Sequence, residues 1–133
     1  MMDPGAPNLQ SHRILVVEDE YFIADDLSRA LQRCGAKVIG PVPDLATGLE
    51  LAQREELDGA VLDVNLGGDM SYPIADALDA RGVPFLFTTG YDDWALSSDY
   101  RDVHRIEKPF DINVVLAALD ELVIKRTVGE TKL

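Results

Sequence analysis

The chain is short of positive charge, of cysteine and of long apolar runs. Twelve Lys and Arg stand against 24 Asp and Glu, a net charge of -12 over 133 residues. Nucleic acid attracts clusters of Lys and Arg, so no nucleic-acid role is expected; a basic or metal-bearing partner is easier to accommodate. Cys34 is the only cysteine, which excludes an internal disulfide and reads as a small packed residue. No apolar run nears the ~18 residues that a membrane span requires. Residues 1–12 lack the basic start and apolar core of a signal peptide. With no membrane role expected, the expected location is the cytoplasm. The sequence shows no internal repeat and no low-complexity block.

What is present is a packed globule of one domain, with 47% hydrophobic residues. The organising stretch is Ala60-Val61-Leu62-Asp63-Val64-Asn65-Leu66-Gly67-Gly68. A short apolar run that ends in a carboxylate and a Gly pair reads as a buried strand leading into a loop. Asp63 then stands at the strand's carboxyl end, where open α/β sheets place their ligands. An ionised carboxylate there is costly unless paired, hydrogen-bonded or bound to a metal.

The remaining chain repeats a strand-then-helix pattern. Residues 1–12 read as a flexible lead-in, 13–125 as the folded domain and 126–133 as a fraying tail. Residues 13–17 predict a strand ending in Glu18-Asp19-Glu20, and Ile23, Leu27, Ala30, Leu31 and Cys34 give one helical face that Gly35 stops. Residues 37–42 predict a short second strand, and Asp44 a cap for a second helix. A third helix is predicted over about 71–81, with Pro73 in its first turn and Gly82 at its end. Residues 84–90 and 103–107 predict the last two strands. Between them, Trp94, Ala95 and Leu96 support one or two turns. Asp111 caps a last helix with Val115, Leu116, Leu119 and Leu122 inward. Five such units imply an α/β fold: a five-stranded parallel sheet in the flavodoxin-like order 2-1-3-4-5, with helices on both faces.

In that order the first and third strands are neighbours, so Glu18 and Asp19 meet Asp63, while Thr89 and Lys108 end strands on the same rim. Converging carboxylates repel one another and invite a cation. All-oxygen ligands of this kind suit Mg2+. An ion beside Lys108 makes the crevice attractive to a phosphoryl group, with Asp63 as a nucleophile able to form an aspartyl phosphate. Thr89 can donate its hydroxyl to a phosphoryl oxygen and Lys108 can pair with another. Taken singly, each residue has a plainer reading. Glu18 and Asp19 could cap a helix, Thr89 could be a strand residue and Lys108 a solvated one. Glu20 reads as a helix-start residue, with facing the site as the lesser alternative, Arg105 and His104 as surface residues, and Trp94 and Tyr100 as packing.

Over residues 13–125 these pieces, in this order, resemble the receiver domain of a two-component response regulator. Glu18-Asp19 match that family's acidic pair, Asp63 its phosphoacceptor, Thr89 its switch residue and Lys108-Pro109 its Lys-Pro step. The resemblance implies that Asn65 offers a backbone carbonyl to Mg2+. Pro84-Phe85-Leu86-Phe87-Thr88-Thr89-Gly90-Tyr91 further resembles the Phe-Ala-Thr-Gly-Tyr subgroup of alphaproteobacterial receivers, with Thr88 in place of alanine. Arg105 stands where many receivers carry an aromatic switch residue, and Tyr91 is a candidate for part of the signalling. The implied function is a stand-alone receiver, not a turnover enzyme. It would take a phosphoryl group from a histidine kinase or phosphotransfer protein, and act by binding a downstream protein or by draining phosphoryl groups. The alternatives are a pseudo-receiver that binds partners without being phosphorylated, a small Mg2+-dependent phosphatase, and a flavin carrier of the same fold.

Overall fold

The computed structural model describes residues 8–90 and 100–131, with side chains to residue 126. Strands β1 (Arg13–Val17), β2 (Lys37–Val42) and β3 (Gly59–Asp63) alternate with helices α1 (Tyr21–Arg33) and α2 (Leu45–Arg54). A two-residue pair follows, β4 (Asn65–Leu66) and β5 (Asp69–Met70). Then come α3 (Tyr72–Ala80), β6 (Phe85–Thr89), β7 (Arg105–Glu107) and α4 (Ile112–Thr131). The main sheet has five parallel strands in the order β2-β1-β3-β6-β7, as the sequence predicts.

The central strands are unbroken apolar runs because helices cover both of their faces. Every residue of β3 and β6 is buried. Alternate residues serve opposite faces. Ile14, Val16, Val61 and Leu86 pack with Leu27 and Leu31 of α1 and Val115 and Leu119 of α4. Leu15, Val17, Leu62 and Phe87 pack with Ala52 of α2 and Ile74 and Leu78 of α3. The helix ends follow the sequence signals. Asp44 Oδ2 accepts from the Thr47 backbone N–H at 2.9 Å and from its hydroxyl at 3.0 Å. These bonds, the backbone one foremost, hold the Asp44 carboxyl below its ordinary range.

The two edges of the sheet are short or interrupted. β2 is an edge strand whose pairing with β1 jumps register around Gly40-Pro41. β7, the other edge, has three residues, and Arg105 and Glu107 are exposed. At the amino end of the strands, charged groups tie the segment before β3 to its surroundings. Arg13 donates from Nε to the Glu56 carbonyl at 2.7 Å and from Nη2 to Glu55 Oε2 at 2.9 Å. Asp58 Oδ2 accepts from the Arg13 backbone N–H at 2.8 Å, and Arg126 Nη1 donates to the Leu57 carbonyl at 3.0 Å.

Three local features depart from the sequence reading. Leu9, within the expected lead-in, is fully buried against the α1/α4 face, and its N–H donates to the Cys34 carbonyl at 3.0 Å. The last helix runs to Thr131, beyond the expected fraying point near Lys125. The segment after Asp63 forms the β4–β5 hairpin, whose turn residues Gly67 and Gly68 have φ of +66° and +107°. Positive φ at both central positions is what a tight hairpin turn requires and what glycine supplies. The turns expected near Trp94, Ala95 and Leu96, and any part for Tyr91, lie outside the described residues.

Candidate functional site

Sheet order alone brings the chemistry together. β1 and β3 run side by side, with Val17 opposite Leu62, so the residues that follow, Glu18 and Asp63, share one end of the sheet. Glu18 extends β1 by donating its N–H to the Val42 carbonyl at 3.0 Å. Asp63 lies opposite Thr88, and Thr89 opposite Glu107, which puts Lys108 next to the end of β6. The Lys108 N–H donates to the Thr89 carbonyl at 2.8 Å and anchors that step.

Glu18 and Asp63 are 2% and 3% exposed, burial that almost no free carboxylate tolerates. Carboxylate oxygens of Glu18, Asp19 and Asp63 lie within 4.8 Å of one another. Lys108 Nζ sits among them, 2.9 Å from Glu18 Oε1, 3.1 Å from Glu18 Oε2 and 3.1 Å from Asp63 Oδ2. Glu18 Oε1 is buried and meets that ammonium as an ion pair. Asp63 Oδ1 accepts from the Asn65 N–H at 3.2 Å. The Asn65 side chain in turn accepts from the Gly68 N–H at 2.6 Å, tying the hairpin to the site.

One ammonium shared among several carboxylates offsets only part of their repulsion. Burial, then hydrogen bonding with Glu18 and Asp19 and the charge of Glu18, push Asp63 up to about 8, with Lys108 pulling the other way. Burial works against the charge of Lys108 as well, but Glu18 and Asp63 outweigh it and hold the ammonium above its ordinary range. The site is therefore one cation short. Its donors are hard oxygens from three carboxylates within 4.8 Å of one another, so the residues present fit a divalent ion such as Mg2+.

The opening above Asp63 is a crevice of about 210 Å³ bordered by Asp19, Glu20, Asp63, Asn65, Gly90 and Lys108. A cavity of about 280 Å³ lies on the far side of Lys108, against Ile23, Pro109, Phe110 and Ile112. It contains none of the three clustered carboxylates, so the chemistry belongs to the smaller crevice. Thr89 is 3% exposed at the end of β6, just before Gly90; Thr88 is fully buried and its hydroxyl has no hydrogen-bond partner among the described residues. Glu18, Asp19, Asp63, Asn65 and Lys108 thus converge, with Thr89 at the same strand ends.

Glu20 stands at the helix start, as the sequence predicts, and belongs to the rim as well, the lesser of its two readings. It occupies the N-cap position of α1, yet its side chain makes no cap hydrogen bond; Oε1 lies 3.4 Å from Lys108 Nζ. The one sequence signal is the third acid in a row where two suffice. Tyr100 is a packing residue, stacked on Tyr72 with centroids 5.8 Å apart and donating its hydroxyl to Asp76. Arg105 lies exposed on β7.

No protein-family model matches the chain. Individual proteins do. The sensory transduction protein LytT of Bacillus anthracis is 32% identical over 111 residues, 80% of this chain and 45% of LytT, so the chain spans less than half of that relative. SdrG of Sphingomonas melonis Fr1 is 40% identical, and its solution structure matches with a TM-score of 0.75 over 85% of this chain and 97% of SdrG. The receiver domain of the sensor histidine kinase PA1611 of Pseudomonas aeruginosa PAO1 is 23% identical and shares the fold, with a TM-score of 0.69 over 85% of this chain and 98% of its own. That structure has a magnesium ion coordinated in its active-site cleft. Sheet order, an acidic crevice facing a lysine, and this kinship converge on one conclusion: the chain belongs to the receiver-domain family of response regulators.

Proposed function

We propose that Asp63 accepts a phosphoryl group from a phosphohistidine on a histidine kinase or phosphotransfer protein. The observation that carries this reading is a 3% exposed carboxylate at the mouth of a central strand, within 3.1 Å of a lysine and next to two further acids. An Asp63 oxygen attacks phosphorus, the bond from phosphorus to the donor imidazole breaks, and the imidazole leaves with the bonding pair and takes up a proton. Asp63 is left as a mixed anhydride. Lys108 pairs with one phosphoryl oxygen, and the Thr89 hydroxyl donates to another. Glu18, Asp19 and Asp63, with the Asn65 backbone carbonyl, would hold Mg2+. That ion would supply charge neutralisation to the phosphoryl oxygens.

Output follows from the new charge on Asp63, which alters the electrostatics of the rim at the end of β6. A signal of this kind acts by binding a downstream protein or by draining phosphoryl groups from a shared kinase, in the cytoplasm. The run from Pro84 to Tyr91 supports membership of the Phe-Ala-Thr-Gly-Tyr subgroup. The test is intact-protein mass after incubation with acetyl phosphate and Mg2+. Wild type gains one phosphoryl group and Asp63→Asn gains none; a gain by the variant, or by neither protein even with a cognate kinase present, overturns the reading.

A further inference from the structure

We propose that Glu20 is a positioning residue that holds Lys108 toward the open side of the crevice and competes with an incoming phosphoryl group for its ammonium. The inference rests on the phosphoacceptor reading of Asp63 for its biological meaning, but the competition itself is a property of the rim. Lys108 Nζ carries three N–H donors and meets three carboxylates. Two of them, Glu18 and Asp63, have side chains 1% and 3% exposed, so these contacts are fixed by the core. The third, Glu20, is 59% exposed and has the longest contact, 3.4 Å. A phosphoryl oxygen that reaches Lys108 from solvent meets the ammonium on the side Glu20 already occupies. The contact that yields is the exposed one, since water screens it and solvates the freed carboxylate.

The backbone explains why Glu20 is available for this work. At the N-cap of α1 it has extended geometry (φ -85°, ψ 112°), but its side chain caps nothing. Its own N–H is taken by Glu18 Oε2 at 3.1 Å, which turns the residue toward the crevice. Its charge also stands at the mouth through which a phosphodonor, itself an anion, must pass. Glu20 therefore slows loading in two linked ways, by occupying Lys108 and by repelling the donor.

The experiment compares wild type, Glu20→Gln and Glu20→Asp in Mg2+. The first probe is inorganic phosphate, followed through the amide resonances of Asn65 and Gly90; the second is the rate of mass gain with acetyl phosphate. Glu20→Gln is expected to bind phosphate about two- to fivefold more tightly and to load faster by a similar factor, the range an exposed ion pair can supply. Both gains shrink at high salt, and Glu20→Asp, which keeps the charge, stays close to wild type. A residue that only supported α1 would lower thermal stability without this salt-dependent gain. Equal or weaker phosphate binding by Glu20→Gln, or no phosphate binding by either protein, overturns the proposal. Tighter phosphate binding by Glu20→Gln when no variant gains mass leaves the competition standing and sinks the acceptor role of Asp63 instead.

Discussion

The two ends of the sheet both gather charge, but they balance it differently. At the amino end, Arg13 and Arg126 meet Glu55, Asp58 and the Glu56 and Leu57 carbonyls, half-buried and matched donor to acceptor. At the carboxyl end, Glu18, Asp19, Glu20 and Asp63 face a single Lys108, with the two most important acids fully buried. The first arrangement is complete and its ion pairs fasten the loop before β3. The second retains excess negative charge that the protein does not neutralise, which is how a fold reserves room for a ligand. Open α/β sheets bind at their carboxyl ends, and here the charge imbalance marks which end that is.

The largest expected effect would separate the ends outright. Asp63→Asn should abolish phosphoryl uptake, while Arg13→Ala at the opposite end should leave it unchanged; loss of uptake in Arg13→Ala would break the comparison. Second, Mg2+ should stabilise wild type by about 2.7 kcal/mol when present at a hundred times its dissociation constant. Thermal melts of Asp63→Asn should show that gain sharply reduced.

The third effect is on pH dependence without added metal. Because Asp63 is held up to about 8, the folded state keeps a proton that the unfolded state has lost between about pH 4 and 8. Stability therefore falls as pH rises through that window, and the cost is fully present above it. Asp63→Asn lacks the cost, so its stability relative to wild type should grow steadily from pH 4 to 8. Denaturant titrations across the window read this directly; a constant difference would show that Lys108 already balances the site.

Smaller still, Arg13→Ala should cost about 1 kcal/mol through lost ion-pair and carbonyl contacts. Smallest is Asp44→Ala, which removes an exposed helix cap and should lower the melting temperature slightly with no effect at either end.

Much of this was legible in the sequence, and for identifiable reasons. β1, β3 and β6 are continuous apolar runs because both faces are covered, and Gly35 and Gly82 mark helix ends with φ of +87° and +68°. The order of the strands then placed Glu18, Asp19, Asp63 and Lys108 together without any long-range signal in the residues themselves. What stayed hidden lacked a local signature. Leu9 is one apolar residue in a polar stretch, and only α1 and α4 reveal what it packs against. β4 and β5 are two residues each, too short for any periodicity to show. Glu20 could not be told from a cap, since an acid at a helix start looks the same whether it turns to the backbone or to a lysine 88 residues away. Thr88 beside Thr89 is the same problem on a strand: two adjacent hydroxyls, one opposite Asp63 and one opposite Glu107.

The edges of the sheet carry a consequence for the protein as a material. A strand edge with free N–H and C=O groups is a template on which a neighbour's strand can grow into a fibril. β2 breaks its outer rim at Pro41, which has no N–H to offer, and Gly40 and the register jump bend it away from a straight template. β7 is over in three residues and carries exposed Arg105 and Glu107. Each rim thus refuses further strands, and the net charge of -12 adds mutual repulsion between copies. Two-sided burial of the apolar strands β3 and β6 exposes them only when the fold itself opens.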